Sequence, residues 1–156
     1  MGLRMRIPLL LRLSSLLLRP RHRYLNDGFS RSPGRAYRTP MPNTIESLTA
    51  EIRAFRDARD WLPFHNPKEL AVAITAEAGE LLQHFVWQDP AQSEQRVRDR
   101  RDELASEMAD IAILLLELAD NCQIPLADAI RSKLAVNNER YPVAKAKGSN
   151  KKYNEL

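Results

Sequence analysis

The chain is short of cysteine, of glycine and of uninterrupted apolar sequence. Its 156 residues include one cysteine and five glycines. A single thiol, Cys122, cannot close an internal disulfide, which excludes a disulfide scaffold and suits a reducing compartment. No activating base stands near Cys122 in the sequence, so it reads as a small apolar filler rather than a nucleophile. Nowhere do apolar residues run for the ~18 positions that a membrane span requires. The best stretch, 7–18, is interrupted by Pro8, Arg12, Ser14 and Ser15.

Acidic residues are almost missing from the first forty positions. That segment holds nine arginines, no lysine and one acid, Asp27, for a net charge of +8. Residues 41–156 hold 15 basic and 19 acidic side chains, for −4. The overall +4 therefore describes neither part. The mildly acidic remainder argues against nucleic-acid binding, which wants a basic stripe on the folded domain. An arginine-rich, serine-containing, acid-poor leader is the composition of a mitochondrial transit peptide. The alternative is an upstream start preceding a true first residue at Met41. The expected location is accordingly cytoplasmic, or mitochondrial if the leader is genuine. The expected division is an extension over 1–42, a helical domain over 43–142 and a lysine-rich tail over 143–156.

Beyond Pro42 the pattern is helical throughout, with no strand alternation. Asn43 and Glu46 read as a capping box, and Ile45, Leu48, Ile52 and Phe55 follow at helical spacing, which predicts a helix over about 44–59. Asn66 and Pro67 open a second helix, with Leu70, Ile74, Glu77, Leu81 and Phe85 as its stripe and an end near Trp87. Residues 89–100 read as a loop or an exposed helix start. A third helix over about 101–121 carries Leu104, Met108, Ile111, Leu115 and Leu118. A fourth runs from Pro125 to about Arg140, with Leu126, Ile130 and Leu134. The expected fold is all-α, a four-helix bundle. Its wide apolar arcs exceed what one small domain can bury, so a homo-oligomer, a dimer or tetramer, is expected.

Two of these helices carry acids where leucines would be expected. Glu77 and Glu80 are spaced i, i+3, as are Glu107 and Asp110, so each pair lies on one helix face. Buried carboxylates are costly unless paired or metal-bound. Four on successive helices point to a divalent cation, for which Mg²⁺ with oxygen ligands is the natural choice. Such a cation can offset charge on a phosphoryl group while one carboxylate serves as general base. A di-iron site would need two Glu-x-x-His pairs. Here Glu80 and His84 are i, i+4, and the third helix has no histidine. Glu94, Glu103 and Glu117 read as surface charges, and His84 as a neighbour of the site or a surface residue.

These residues belong to an ordered series: Arg59-Asp-Trp-x-x-Phe-His65, Pro67-Lys68, Glu77-Ala-Gly-Glu80, Phe85-x-Trp87, Glu107-Met-Ala-Asp110, Asn137-x-x-Arg140-Tyr-Pro142 and Lys152-Tyr-x-Glu-Leu156. The series resembles the MazG-like all-α nucleoside triphosphate pyrophosphohydrolases, with its closest match in the dCTP pyrophosphatase branch, over about 45–156. The resemblance implies Mg²⁺-dependent conversion of a nucleoside triphosphate, dCTP or a related pyrimidine deoxynucleotide, to monophosphate and pyrophosphate. It implies Glu77, Glu80, Glu107 and Asp110 as catalytic metal ligands. It implies that Trp61, Leu62, Pro63, Phe64, His65 and Trp87 contact the nucleotide, and Asn137 the sugar or base. A tryptophan face can stack on a base. Trp87 is expected two turns beyond Glu80 on the same helix face. Lys133, Arg140, Lys151 and Lys152 are candidates to offset phosphate charge, some from a neighbouring subunit. Three positions depart from the pattern. Ser106 replaces an acid found in many relatives, and Ile52 and Leu114 stand where the animal dCTP enzymes carry His and Tyr. The base preference is therefore open. A catalytically silent helical interaction protein is the alternative from another class.

Overall fold

The order of helices follows the caps. The computed structural model describes residues 44–156, so the arginine-rich extension and the Asn43 cap lie outside the described residues. Helix α1 spans Ile45–Asp57. Its cap is Thr44, whose hydroxyl accepts from the Ser47 amide at 3.1 Å while the Ser47 hydroxyl accepts from the Thr44 amide at 3.0 Å. A reciprocal Thr–Ser box thus does what the Asn43–Glu46 pair was expected to do. Helix α2, Pro67–Gln83, begins as read, with Asn66 Oδ1 accepting from the Glu69 amide at 3.1 Å.

Helix α2 stops a turn short of the expected end. His84 is its C-cap, and Trp87 takes a φ of 59°. Asp89 then caps a separate helix, α3, over Pro90–Asp99, through a reciprocal pair with Gln92. The segment read as loop or helix start is thus an independent helix. Arg100, at φ −121° and ψ 30°, breaks the chain before α4, Arg101–Asn121. Helix α5 is Leu126–Arg140, and a short α6, Val143–Ala146, and a 3₁₀ turn, Tyr153–Glu155, occupy the tail. The Tyr153 ring meets Tyr141 edge-on at 6.0 Å and lies 5.1 Å from the Arg140 guanidinium. No strand occurs among the described residues, and the fold is all-α. No helix among them is long and apolar enough to cross a membrane.

Helix α4 is the organising element. It packs most extensively on α2 and also on α1 and α3, whereas α5 makes only slight contact with the other helices. The described hydrophobic core is small: Leu70, Leu104, Leu114 and Ala119. Helix α2 buries Leu70 and Glu77 of the stripe read from its sequence and half-buries Ile74 and Leu81. The stripes of α1 and α4 are turned from expectation. Leu48 and Phe55 are exposed and Ser47 and Arg56 are buried, while on α4 Leu104 is buried as expected but Met108 and Leu115 are exposed and Glu107, Leu114 and Glu117 are buried. The reason is that leucine and methionine flank the acids on α4. A periodicity scored on apolar residues alone settles on the flank of the buried face, whereas the face centred on α2 runs through the carboxylates.

Candidate active site

The α2–α4 contact brings acids from both helices together. Glu77, Glu107 and Asp110 each present a carboxylate oxygen such that all three lie within 4.8 Å of one another. Glu77 and Glu107 are 6% and 8% exposed, close to the burial of the core leucines. One oxygen of each, Oε2, is buried without a hydrogen-bond partner. A buried unpartnered acceptor costs roughly 1–3 kcal/mol, and more when charged. Glu80 is half-buried one turn beyond Glu77 and lies outside the tight triple, yet its charge acts on all three members.

The electrostatics follow from this crowding. Burial first, then the charges of Glu80, Asp110 and Glu107, push the Glu77 carboxyl up to about 7. Burial, followed by Glu80 and Asp110, raises Glu107, and nearby His84 partly opposes the rise. Burial and then Glu80 raise Asp110. Like charges held together out of water favour the protonated form. The donor set is all oxygen and anionic, and it includes two orphaned oxygens. It therefore fits a hard divalent cation such as Mg²⁺ and offers no soft or imidazole ligand that would select a transition metal.

The remaining candidates fall into three groups. Trp61 is half-buried in the loop between α1 and α2, its ring edge-on to Phe55 at 5.8 Å and tilted against His65 at 5.7 Å. Leu62, Pro63 and Phe64 are exposed on the same loop. His65 is buried, and its Nδ1 lies 2.7 Å from Glu117 Oε1. Trp87 is 95% exposed and sits in the turn after α2, not two turns along the helix from Glu80. A left-handed backbone at a bulky residue is uncommon and costs of order 1 kcal/mol or more. Lys133, Asn137 and Arg140 lie on α5, which barely touches the α2–α4 pair. Asn137 is half-buried, and Lys133, Arg140, Lys151 and Lys152 are exposed.

One cluster was missed. Glu117, read as a surface charge, is 4% exposed and is engaged by His65 and Arg56. It follows Asp110 by seven residues, so it continues the buried face of α4. That heptad spacing from Asp110 was the available signal. Ile52 is half-buried and Leu114 buried, so the two departures from the dCTP-type pattern are packed apolar positions. A separate cavity of about 320 Å³ lies between α1, the end of α4 and the start of α5. It shares no residue with the carboxylate cluster, and its arginines are already paired, Arg53 with Asp120 and Arg131 with Asp128.

Comparison with known proteins identifies relatives of this chain. The MazG-like family model matches residues 72–156, which contain both acidic pairs. The human dCTP pyrophosphatase 1 is 37% identical over 128 residues, covering 80% of this chain and 74% of that protein. A dATP/dGTP diphosphohydrolase of Cyanophage S-2L is 32% identical over 100 residues, covering 64% of this chain and 79% of the phage protein. The crystal structure of a pyrophosphatase from Archaeoglobus fulgidus superposes with a TM-score of 0.61 at 38% identity, covering 63% of this chain and 92% of that one.

Proposed function

Since the chain belongs to the MazG-like family, we propose that it is a Mg²⁺-dependent nucleoside triphosphate diphosphatase. It would release monophosphate and pyrophosphate from a deoxynucleoside triphosphate, dCTP or a related pyrimidine nucleotide. The observation that carries this reading is the pair of buried, unpartnered oxygens on Glu77 and Glu107. They belong to a three-acid cluster whose members repel one another without a cation. Relatives named for dCTP and for dATP/dGTP hydrolysis support the reaction class while differing in base.

Glu77, Glu80, Glu107 and Asp110 would hold Mg²⁺, which supplies charge neutralisation at the phosphoryl oxygens when bound. The chain's own part is to orient and to exchange a proton. One carboxylate of the four would take a proton from the attacking water. Helices α2 and α4 hold the carboxylates rigidly, so no reorganisation is needed as charge develops. Trp61 and Trp87 would contact the base by stacking. Along α4, Asp110 and Glu117 are separated by seven residues, about 10 Å of helix axis. That span suits a nucleotide with its phosphates at the acids and its base near the Trp61–His65 loop.

A second copy of the chain would complete the site. The exposed Val72, Leu82, Met108, Ile130 and Leu134 and the slight docking of α5 support this. Phosphate contacts from Lys133, Asn137 or Arg140 would then come from a partner's α5. Glu77→Gln or Asp110→Asn is expected to abolish Mg²⁺-dependent release of pyrophosphate from a panel of normal and modified dNTPs and NTPs. Full activity in both variants would overturn the assignment of the cluster, and the panel identifies the preferred base.

A further inference from the structure

The Trp61–His65 loop is tied to α4 by a buried polar network that the reaction chemistry does not require. Arg56 on α1 is 5% exposed, unusually buried for an arginine. Its Nη1 donates to Asn121 Oδ1 at 2.6 Å and lies 3.8 Å from Glu117 Oε1, and its Nε donates to Asp57 Oδ1 at 2.8 Å. Asn121 in turn donates through Nδ2 to the His65 carbonyl at 2.9 Å. The His65 ring is held by Glu117 at 2.7 Å. Residue 65 is therefore clamped twice to α4, once by its backbone and once by its ring, and Arg56 braces both clamps. The loop's other end returns to the same residue, since the Trp61 amide donates to the Arg56 carbonyl at 3.2 Å.

The chemistry of the clamp has a direction. With Glu117 as the acceptor, the proton of the short contact would sit on His65 Nδ1. Nε2 would then be the unprotonated edge of the ring, able to accept a hydrogen bond. The ring orientation also passes to Trp61, which tilts against His65 on one side and meets Phe55 on the other. Removing Glu117 would free the imidazole to rotate and take a second tautomer, and Trp61 would lose one of the two rings that hold it.

We propose that Glu117, braced by Arg56, is a positioning residue that fixes the His65 ring and thereby the Trp61 face for the base of the nucleotide. The assignment rests on the reading of this protein as a nucleotide hydrolase. Glu117 acts through His65, at a remove from the reacting atoms, so its loss should be felt in substrate binding more than in turnover. The decisive measurement is a double-mutant cycle on the full chain with Mg²⁺ and the preferred dNTP, using Glu117→Ala, His65→Ala and the double variant. Expected are a rise in KM of about tenfold or more for Glu117→Ala, the scale of one lost charge-assisted hydrogen bond, and a kcat within a few-fold of the parent. The double variant should be no worse than His65→Ala alone, because the two side chains act as one unit. Glu117→Gln, which keeps the shape and an acceptor, should restore most of the binding. ¹⁵N chemical shifts of the imidazole should show His65 protonated at Nδ1 in the parent and a changed tautomer balance in Glu117→Ala. Additive losses, an unchanged KM, or a fall confined to kcat would overturn the assignment while leaving the functional reading intact. A parent protein that releases pyrophosphate from no nucleotide would overturn the functional reading, and this assignment with it.

Discussion

Replacing Glu77 by glutamine tests the central electrostatic claim without any substrate. In the unfolded chain this carboxyl titrates near 4.5, and in the folded protein it is pushed up to about 7 by burial, Glu80, Asp110 and Glu107. Between those values the native state holds the proton that the unfolded state has lost. Stability therefore falls as pH rises through this window, and the full penalty applies above about 7. A displacement of this size corresponds to about 3 kcal/mol, to order of magnitude. At pH 4, below both values, Glu77 is protonated in either state and nearly isosteric with glutamine, so parent and Glu77→Gln should unfold alike. At pH 8 in a chelator the variant should be the more stable by that amount, a difference in Tm on the order of 10 °C at fixed protein concentration. Saturating Mg²⁺ should then raise the parent's Tm, since a ligand at a hundred times its Kd adds about 2.7 kcal/mol, and should raise the variant's less. Thermal unfolding followed by circular dichroism at both pH values, with and without Mg²⁺, reads all four states. A parent–variant difference that does not change with pH, or a parent indifferent to Mg²⁺, would refute the reasoning.

Two further substitutions separate folding from function. Leu70 is the most buried apolar side chain, at 2% exposed, and sits on the α2 face that meets α4. Leu70→Ala should cost roughly 2–5 kcal/mol in denaturant unfolding; a loss below 1 kcal/mol would mean that the α2–α4 contact is not the core. Trp87 makes little use of its ring within the chain and holds a strained backbone. Trp87→Gly should change stability by no more than about 1 kcal/mol, relief of strain offsetting added chain entropy, yet should weaken nucleotide binding measured by calorimetry. Unaltered binding would remove Trp87 from the site.

Much of this protein could be read along the chain because the relevant signals are local. Asn66-Pro67 marks the start of α2 by cap chemistry, and Arg101–Asn121 is continuous helix because nothing within it breaks the pattern. The i, i+3 acids share a face wherever a helix forms. The errors have local causes too. Ser47, not Glu46, partners the cap of α1, because the capping hydroxyl is Thr44 and its third residue on is Ser47. Trp87 reads as a helix extension because apolar residues continue past Gln83, whereas α2 ends at Gln83 and the Asp89–Gln92 cap starts a new helix.

The sequence by itself determined the helical class, the carboxylate pairs and the motif series that marks the family, since each depends on spacing within one segment. Only the tertiary structure decided which face of α4 is inside, how Glu77, Glu107 and Asp110 converge from two helices, and that Glu117 belongs with Arg56 and His65 rather than with water. Those are matters of packing. A carboxylate carries the same symbol whether solvated or buried, and its environment is set by side chains from helices distant in the chain. Desolvation and neighbouring charge, which give the acids their chemistry, exist only once α1, α2 and α4 are in contact.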